Sequence, residues 1–482
     1  MSVSDFEVVI GLEVHAQLLT RSKVFCGCST EFGGEPNAHT CPVCLAMPGA
    51  LPSLNQRVVE FAIRAGLALG CTVRRKSVFA RKNYFYPDLP KGYQISQYEL
   101  PICEGGSVPI RGGEKAIRLN RVHVEEDAGK NLHEVSADKS SGVDLNRAGV
   151  PLLEIVSEPD LRGVDEAIEY LKSLRAILMY LGVNDGNLEE GSFRCDANVS
   201  VRRRGEEKLG QRSEIKNMNS FRFLRQAIEY EVDRQVEVVE SGGKVKQETR
   251  LFDPDRGVTR AMRSKEEAHD YRYFPEPDLP PLVVDDGFVE QLRRSVPELP
   301  AARASRYQKV LGLSAFDAQV LTAERAVADF FDAALAAHGG GAEAAKKVAN
   351  WVTGELARLA NETGTSPQDW KVTPPKLAAI VKLVEAGTVG GPGAKQLVEE
   401  VFRHGGEPSE VLVTKGLAQV SDEGAVELAV EKVLSANPGE VEKYRNGKKN
   451  LLGFFVGRIM KEMKGKGNPL VVNALLKKKL GD

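Results

Sequence analysis

The 482-residue chain balances 65 Lys and Arg against 67 Asp and Glu, with 42% hydrophobic and 27% charged residues. That composition belongs to a folded globular protein and excludes a disordered or fibrous one. No apolar run approaches the roughly 18 residues that cross a bilayer. The leading MSVSDFEVVIGLEVH has neither an apolar signal core nor an Arg-rich presequence, so a cytoplasmic location is expected.

The first stretch, 1–293, mixes strands with a few helices. Glu7–Leu18 reads as a strand whose alternation puts Leu12, Val14 and Ala16 on one face and Glu13, His15 and Gln17 on the other. Cys26, Cys28, Cys41 and Cys44 follow as C-x-C, twelve residues, then C-x-x-C. Two close thiolate pairs joined by a short polar loop supply the four sulfur ligands of a structural zinc. Cys71, Cys103 and Cys195 lack such spacing and are expected to be buried structural thiols. Residues 81–97 pack aromatics, prolines and polar groups without periodicity, as a binding loop would; 189–202 and 214–231 read the same way.

Further strands are expected at Ala116–Glu125, Pro151–Val156 and Ala197–Arg203, with helices at Asp165–Leu181, ended by Gly182, and Phe221–Glu240, ended by Ser-Gly-Gly. Glu125 and Glu126 close a strand ahead of Asp127, and Glu154 interrupts an apolar run. A buried carboxylate there needs a cation, a metal or good hydrogen bonds. The proline-rich YFPEPDLPP (273–281) cannot be a regular helix or central strand and marks the end of the stretch.

From 294 to 407 strand patterns vanish, and Ala-rich segments such as Asp317–Ala337 and Ala342–Asn361 predict a small all-α domain. A third stretch, 408–482, is also helical. In it Leu452, Phe455, Val456, Ile459, Met460 and Met463 share one face, opposite Arg458 and Lys461. Gly453 and Gly457, one turn apart, suggest close helix packing. Residues 441–482 carry 11 basic and three acidic residues, a net of +8, leaving −10 on 1–440. Such a tail suits an anionic partner, nucleic acid first, although a solvated Lys-rich helix surface explains it equally.

No G-x-x-x-x-G-K-[ST] loop, G-x-G-x-x-G turn or G-x-S-x-G elbow is present, which removes the main support for P-loop, dinucleotide-binding and serine-hydrolase readings. Three carboxylates and an imidazole from separate strands could converge on a hard divalent cation such as magnesium. Taken from spacing alone, the favoured reading is the plainer one, with Glu13 and Glu154 as edge-strand surface residues and His15 as a satisfied core histidine.

Four strings carry a resemblance: VDLNRAGVPLLEIVSEPD, EEGSFRCDANVSVR, EIKNMNSFRFLRQA and YRYFPEPDLPPL. Together they resemble the B subunits of the aspartyl/glutamyl-tRNA(Asn/Gln) amidotransferases, the GatB family. The match is to the bacterial form, since the archaeal relative carries a large insertion before its helical domain that this chain has no room for. The resemblance implies an α+β fold: a mixed-sheet cradle (1–293), a small all-α domain (294–407) and a basic all-α tail (408–482) that grips tRNA. It implies ATP-dependent phosphorylation of the side-chain carboxylate of misacylated Glu-tRNA or Asp-tRNA, then amidation with ammonia. Under it, Glu13, His15, Glu125 and Glu154 hold magnesium, with Glu125, Glu126 and Glu154 catalytic. Lys82, Asn146 and Arg147 contact phosphate or substrate. The chain lacks a Gly-Ser-rich amidase loop and a recognisable glutaminase cysteine. The implied partners are therefore an amidase (glutaminase), the A subunit, together with a small C subunit in a heterotrimer. The competing reading is a tRNA-binding scaffold with no chemistry of its own.

Overall fold

Strand alternation organises the first unit, Met1–Ala301. The computed structural model describes residues 5–132, 141–264, 271–419, 422–463 and 466–481; Lys464 and Asp482 of the basic tail lie outside them. A mixed sheet runs in the order Val258–Ser264, Glu248–Asp253, Ser213–Lys216, Phe193–Arg203, Phe6–Gln17, Pro151–Ser157, Lys115–Glu126, Cys103–Glu104, Thr72–Val73. Ser107–Ile110 also pairs with Lys115–Glu126. Every pairing is antiparallel except that between Ser213–Lys216 and Glu248–Asp253.

One face of this sheet is apolar. Leu12, Val14, Val124, Leu153, Ile155, Ala197 and Val199 form a core with the helices Gln56–Ala68, Val164–Leu181 and Phe221–Glu240. Burial of these side chains is the main driving force for the unit. Gly182 ends the second helix at φ 65°, and Ser220 caps the third by accepting from Phe223 N. At Gly66 the first helix comes so close to the sheet that a Cβ would lie 2.3 Å from Cys103 Sγ. Cys71, Cys103 and Cys195 are buried free thiols, as expected.

Two of the stretches expected as irregular binding loops are largely regular. The strand expected from Ala197 begins at Phe193, so most of 189–202 is strand, and 214–231 is the end of a strand followed by a capped helix. Residues 81–97 form a hairpin, Ala80–Asn83 against Tyr93–Ser96, around an irregular connection. Phe274–Pro275 of the proline-rich segment and Leu282–Val283 just after it add only two-residue strands to Ala80–Asn83 and Lys76–Ser77.

The described elements from Asp286 onward are helices. In the second unit, Ala302–Asp482, one core gathers Tyr307, Leu321, Phe331, Leu356, Ile380 and Leu397, and a separate one gathers Val426, Val430, Phe455, Ile459, Val472 and Leu476. Asp317–Ala337 is not one helix. Ala315–Leu321 stops at Thr322, whose hydroxyl turns back to Ala318 O, and Arg325–His338 begins anew. Gly453 and Gly457 face open space, with no heavy atom within 4 Å of a Cβ at either, so they mediate no close packing. Among the described residues no helix is long and apolar enough to cross a membrane.

Candidate active site

The other face of the sheet is polar, and register alone builds a cluster on it. His15 pairs with Glu154 on one side and Arg194 on the other; Glu154 pairs in turn with His123. Glu13 pairs with Asp196 and Val156. Residues two apart share a face, so Glu13 joins His15 and Glu125 joins His123. His15 Nε2 lies 3.7 Å from Glu13 Oε1, 3.6 Å from Glu125 Oε1 and 3.5 Å from Glu154 Oε2. His123 Nε2 lies 3.4 Å from the same Glu154 oxygen and 3.7 Å from Glu125 Oε2. One ligand atom from each of His15, Glu125 and Glu154 falls within 4.8 Å of the others, and Glu13, His15 and Asp196 make a second such group. Separations of this size suit oxygen and nitrogen donors around a hard cation of short bond length.

Burial and crowding set the protonation of these groups. Burial, then the Glu154 charge, raises the Glu13 carboxyl to about 6 against the pull of His15. Burial works against the His15 imidazolium, but Glu154, then Glu125 and Glu13, outweigh it and push the ring up to about 9. Burial also opposes ionisation of Glu154, yet His123, His15 and Lys82 hold its carboxyl well below the usual range. Glu125 is held down as well: burial and Glu154 oppose it, and His123, His15 and Lys82 prevail. The face thus holds anionic carboxylates only because cations surround them.

The other residues singled out in the sequence divide. Lys82 stands 5.0 Å over the Tyr271 ring, and despite burial its ammonium is strengthened by Glu125 and Glu154, so it borders the cluster. Glu126 points to the opposite side of its strand. Its carboxylate accepts from Ile95 N at 2.8 Å and Lys91 Nζ at 2.7 Å. Asn146 braces the cysteine loop, with its Oδ1 accepting from His39 N and its Nδ2 donating to Glu35 O. Arg147 is tied to Ala128 O and Gly129 O and lies 3.6 Å from Asp127. Asn146 and Glu126 are therefore not brought together with Glu13, His15, Glu125 and Glu154.

Several polar residues escaped the sequence reading. His123, Asp196 and Arg194 stand on the same face, and Lys216 pairs with Asp196. Arg194 also grips the buried Asp127 with two bonds, at 2.9 and 3.1 Å. The signal was present: Arg121, His123, Glu125 and Asp127 alternate with apolar residues or Glu126, and Arg194, Asp196, Asn198 and Ser200 alternate with Cys195, Ala197 and Val199. Beyond Glu13, a cavity of about 470 Å³ is lined by Arg121, Asn198, Ser200 and Arg212 among others.

The four cysteines converge as their spacing implied. Their sulfurs lie within 4.8 Å of one another, with Cys44 3.9 Å from Cys41 and 4.0 Å from Cys28. Tetrahedral zinc with bonds of about 2.3 Å separates sulfurs by roughly 3.8 Å, so the cluster is compatible with a structural zinc site. The Cys26 thiol, the Cys41 backbone N–H and the nearby Lys23 ammonium pull Cys44 down to about 4. Fully buried Lys23 is itself anchored to His39 O at 2.7 Å.

Fold and site together define a class: an α+β catalytic unit with an acidic sheet face, followed by helical modules. Residues 8–290 match the family model described as the GatB/GatE catalytic domain, and residues 329–480 match one described as the GatB domain. Curated relatives extend over the whole chain. The aspartyl/glutamyl-tRNA(Asn/Gln) amidotransferase B subunit from Anaeromyxobacter dehalogenans strain 2CP-1 is 74% identical, with all of both chains covered. Proteins of the same name from Myxococcus xanthus and Geotalea uraniireducens are 62% and 59% identical, covering 100% and 98% of this chain and 100% and 99% of their own. The chain belongs to the GatB family, the B subunits of the aspartyl/glutamyl-tRNA amidotransferases.

Proposed function

We propose that this chain is the B subunit of a tRNA-dependent amidotransferase and that its acidic sheet face activates the side-chain carboxylate of Glu or Asp misattached to tRNA. A carboxylate resists ammonia because its oxygen is a poor leaving group. One of its oxygens attacks the terminal phosphorus of ATP, the bond to the β-phosphate oxygen breaks, and ADP leaves. Ammonia then adds to the carbonyl carbon of the acyl phosphate and loses a proton as inorganic phosphate departs, giving Gln-tRNA or Asn-tRNA. Such phosphoryl transfer asks for positioning and charge neutralisation rather than covalent help from the protein.

The observation that carries this reading is the convergence of His15, Glu125 and Glu154, joined by Glu13, beside Lys82. Once His15 gives up its proton these donors fit a magnesium ion, which when bound would neutralise charge on the transferring phosphate. Lys82 supplies a fixed cation for the substrate carboxylate or the phosphoryl oxygens. The neighbouring cavity, with Arg121 and Arg212 on its wall, suits the remaining phosphates of ATP. Zinc at the four cysteines holds the loop that Asn146 braces. Ammonia comes from an amidase partner, the A subunit, while a small C subunit makes up the heterotrimer. The basic tail holds tRNA phosphates without reading bases.

Glu154→Ala in the reconstituted complex tests the reading. ATP cleavage dependent on misacylated tRNA should fall by about two to three orders of magnitude, the loss typical of removed electrostatic stabilisation. Glutamine hydrolysis by the partner and the thermal melt should persist. Full tRNA-dependent ATP cleavage in this variant would refute the assignment.

A further inference from the structure

The hairpin beside the acidic face carries an aromatic series that the phosphoryl-transfer chemistry does not use. Strand alternation puts Ala80, Lys82 and Tyr84 on one side, and Ser96, on the partner strand, donates to Glu125 Oε2 at 3.1 Å. The hairpin is thus bonded directly to the cluster. From Tyr84 a chain of rings runs outward. Tyr84 lies 6.1 Å from Tyr86 and 6.2 Å from Tyr271, Tyr271 lies 6.1 Å from Tyr273, and Tyr273 stacks on Tyr98 at 4.3 Å with 7° between planes. Phe85 is 88% exposed at the hairpin tip, and Tyr86 and Tyr98 are exposed as well.

The backbone is bent to present these rings. Arg272, between Tyr271 and Tyr273, sits at φ +47°, a left-handed conformation that costs a non-glycine residue free energy. Asn83 holds it there, with Nδ2 donating to Tyr271 O at 3.1 Å and Arg272 O at 2.9 Å. Arg272, exposed and placed between Tyr271 and Tyr273 in the chain, adds a cation to this aromatic series at the rim of an anionic catalytic face. Rings interleaved with a cation are the means by which proteins hold single-stranded nucleic acid: bases stack on the rings, and the cation meets the phosphate.

We propose that this aromatic rim, centred on Phe85, Tyr86 and Tyr98 with Arg272, seats the unpaired 3′-terminal nucleotides of the acylated tRNA. The inference rests on the function proposed above and adds where the nucleic-acid end of the substrate lies. The amino acid is esterified to the terminal ribose, so stacking the last base at the rim delivers its side-chain carboxylate toward Lys82 and Glu125. A rim of rings accepts any base by its π face, which suits a terminus shared by all tRNAs.

The test uses the whole complex and uncharged tRNA carrying 2-aminopurine in place of the terminal adenine. Binding to the wild-type complex should quench the probe several-fold by stacking. Tyr86→Ala and Phe85→Ala should lose most of that quenching. In turnover they should raise KM for misacylated tRNA about tenfold, with the larger part of the loss in KM rather than kcat. Tyr86→Trp should restore both. Unchanged quenching and KM in both alanine variants would overturn the proposal. So would dissociation of the complex on gel filtration in place of the KM effect, which would make the rim a protein interface. A wild-type complex that stacks the probe yet cleaves no ATP with misacylated tRNA would strike the proposed chemistry and leave the rim standing.

Discussion

His123 faces Glu154 across neighbouring antiparallel strands, its Nε2 3.4 Å from the Glu154 oxygen that His15 also approaches. Its other nitrogen, Nδ1, accepts from Arg121 Nε at 3.3 Å. That contact turns Nε2 toward the carboxylates, and a partner of this kind fixes the orientation of a cation ligand. His123→Ala should therefore raise the magnesium concentration for half-maximal tRNA-dependent ATP cleavage by about 10- to 100-fold. A titration curve superposing on wild type would remove His123 from the positioning machinery.

Purified, reduced protein should contain about one zinc per chain, bound by Cys26, Cys28, Cys41 and Cys44. Cys41→Ser removes one of four ligands and should abolish stoichiometric zinc by elemental analysis. Because Asn146 and Lys23 tie the same loop to the sheet unit, the variant should also melt several degrees lower. Zinc content equal to wild type would overturn the site.

Glu231 is fully buried. Its carboxylate is bonded to Arg234, to Gln235 at 2.8 Å and to Thr259 at 3.0 Å, with Arg250 3.3 Å away. Burial opposes ionisation, but Arg234 and Gln235 outweigh it and hold the carboxyl below its usual value. A depressed carboxylate contributes stability above its unfolded value, near 4.3, and loses it as pH falls through the lower folded value. Glu231→Gln leaves two arginines without their buried partner and should cost about 3 kcal/mol at pH 7. Denaturant midpoints should show that deficit shrinking below about pH 4. A deficit constant with pH would show that charge is not its source.

How much of this was legible in the sequence varies with distance along the chain. The cysteine cluster was readable because its ligands lie within 19 positions and their spacing is a local constraint. The alternation in IGLEVHAQL gave both faces of the central strand, core and site alike. It could not give convergence, since Glu13 and Glu154 meet only through a sheet order that places the Pro151–Ser157 strand beside Phe6–Gln17. His123 stands on the same alternating face as Glu125, but a single histidine in a strand carries no spacing signal that separates a site residue from a core one. The break at Thr322 carried no glycine or proline to announce it. The pair Gly453 and Gly457 allows no close packing whereas the single Gly66 does, because close approach depends on which face a neighbour occupies.

The basic tail cannot be tested cleanly by truncation, because Tyr444, Phe455, Ile459 and Leu476 belong to one core with Val426 and Val430. Charge removal is cleaner. Lys477 and Lys478 are exposed, whereas Lys479 pairs with Glu427 and Glu431. Lys477→Ala with Lys478→Ala should weaken binding of all tRNAs alike and lower the slope of log affinity against log salt by up to about 2. An unchanged slope would place the phosphate contacts elsewhere.

Gly66→Ala should destabilise the sheet unit by about 1–3 kcal/mol, because the added methyl must displace Cys103 Sγ from a buried, closely packed position. Pairing it with Cys103→Ala should recover part of the loss in thermal melts. Additive losses would mean that the two residues do not compete for the same space.

The alternation of the central strand also governs which insertions the gene can tolerate. One extra residue between Leu12 and Glu13 would rotate every following side chain of that strand to the other side of the sheet. It would send His15 into the hydrocarbon core and Val14 into the acidic cluster, so that folding and chemistry fail together. An insertion of the same size in an exposed connection such as 204–208 moves no side chain across the sheet. Length variation among functional variants should accordingly collect in such connections, while Phe6–Gln17, Lys115–Glu126, Pro151–Ser157 and Phe193–Arg203 keep their residue count.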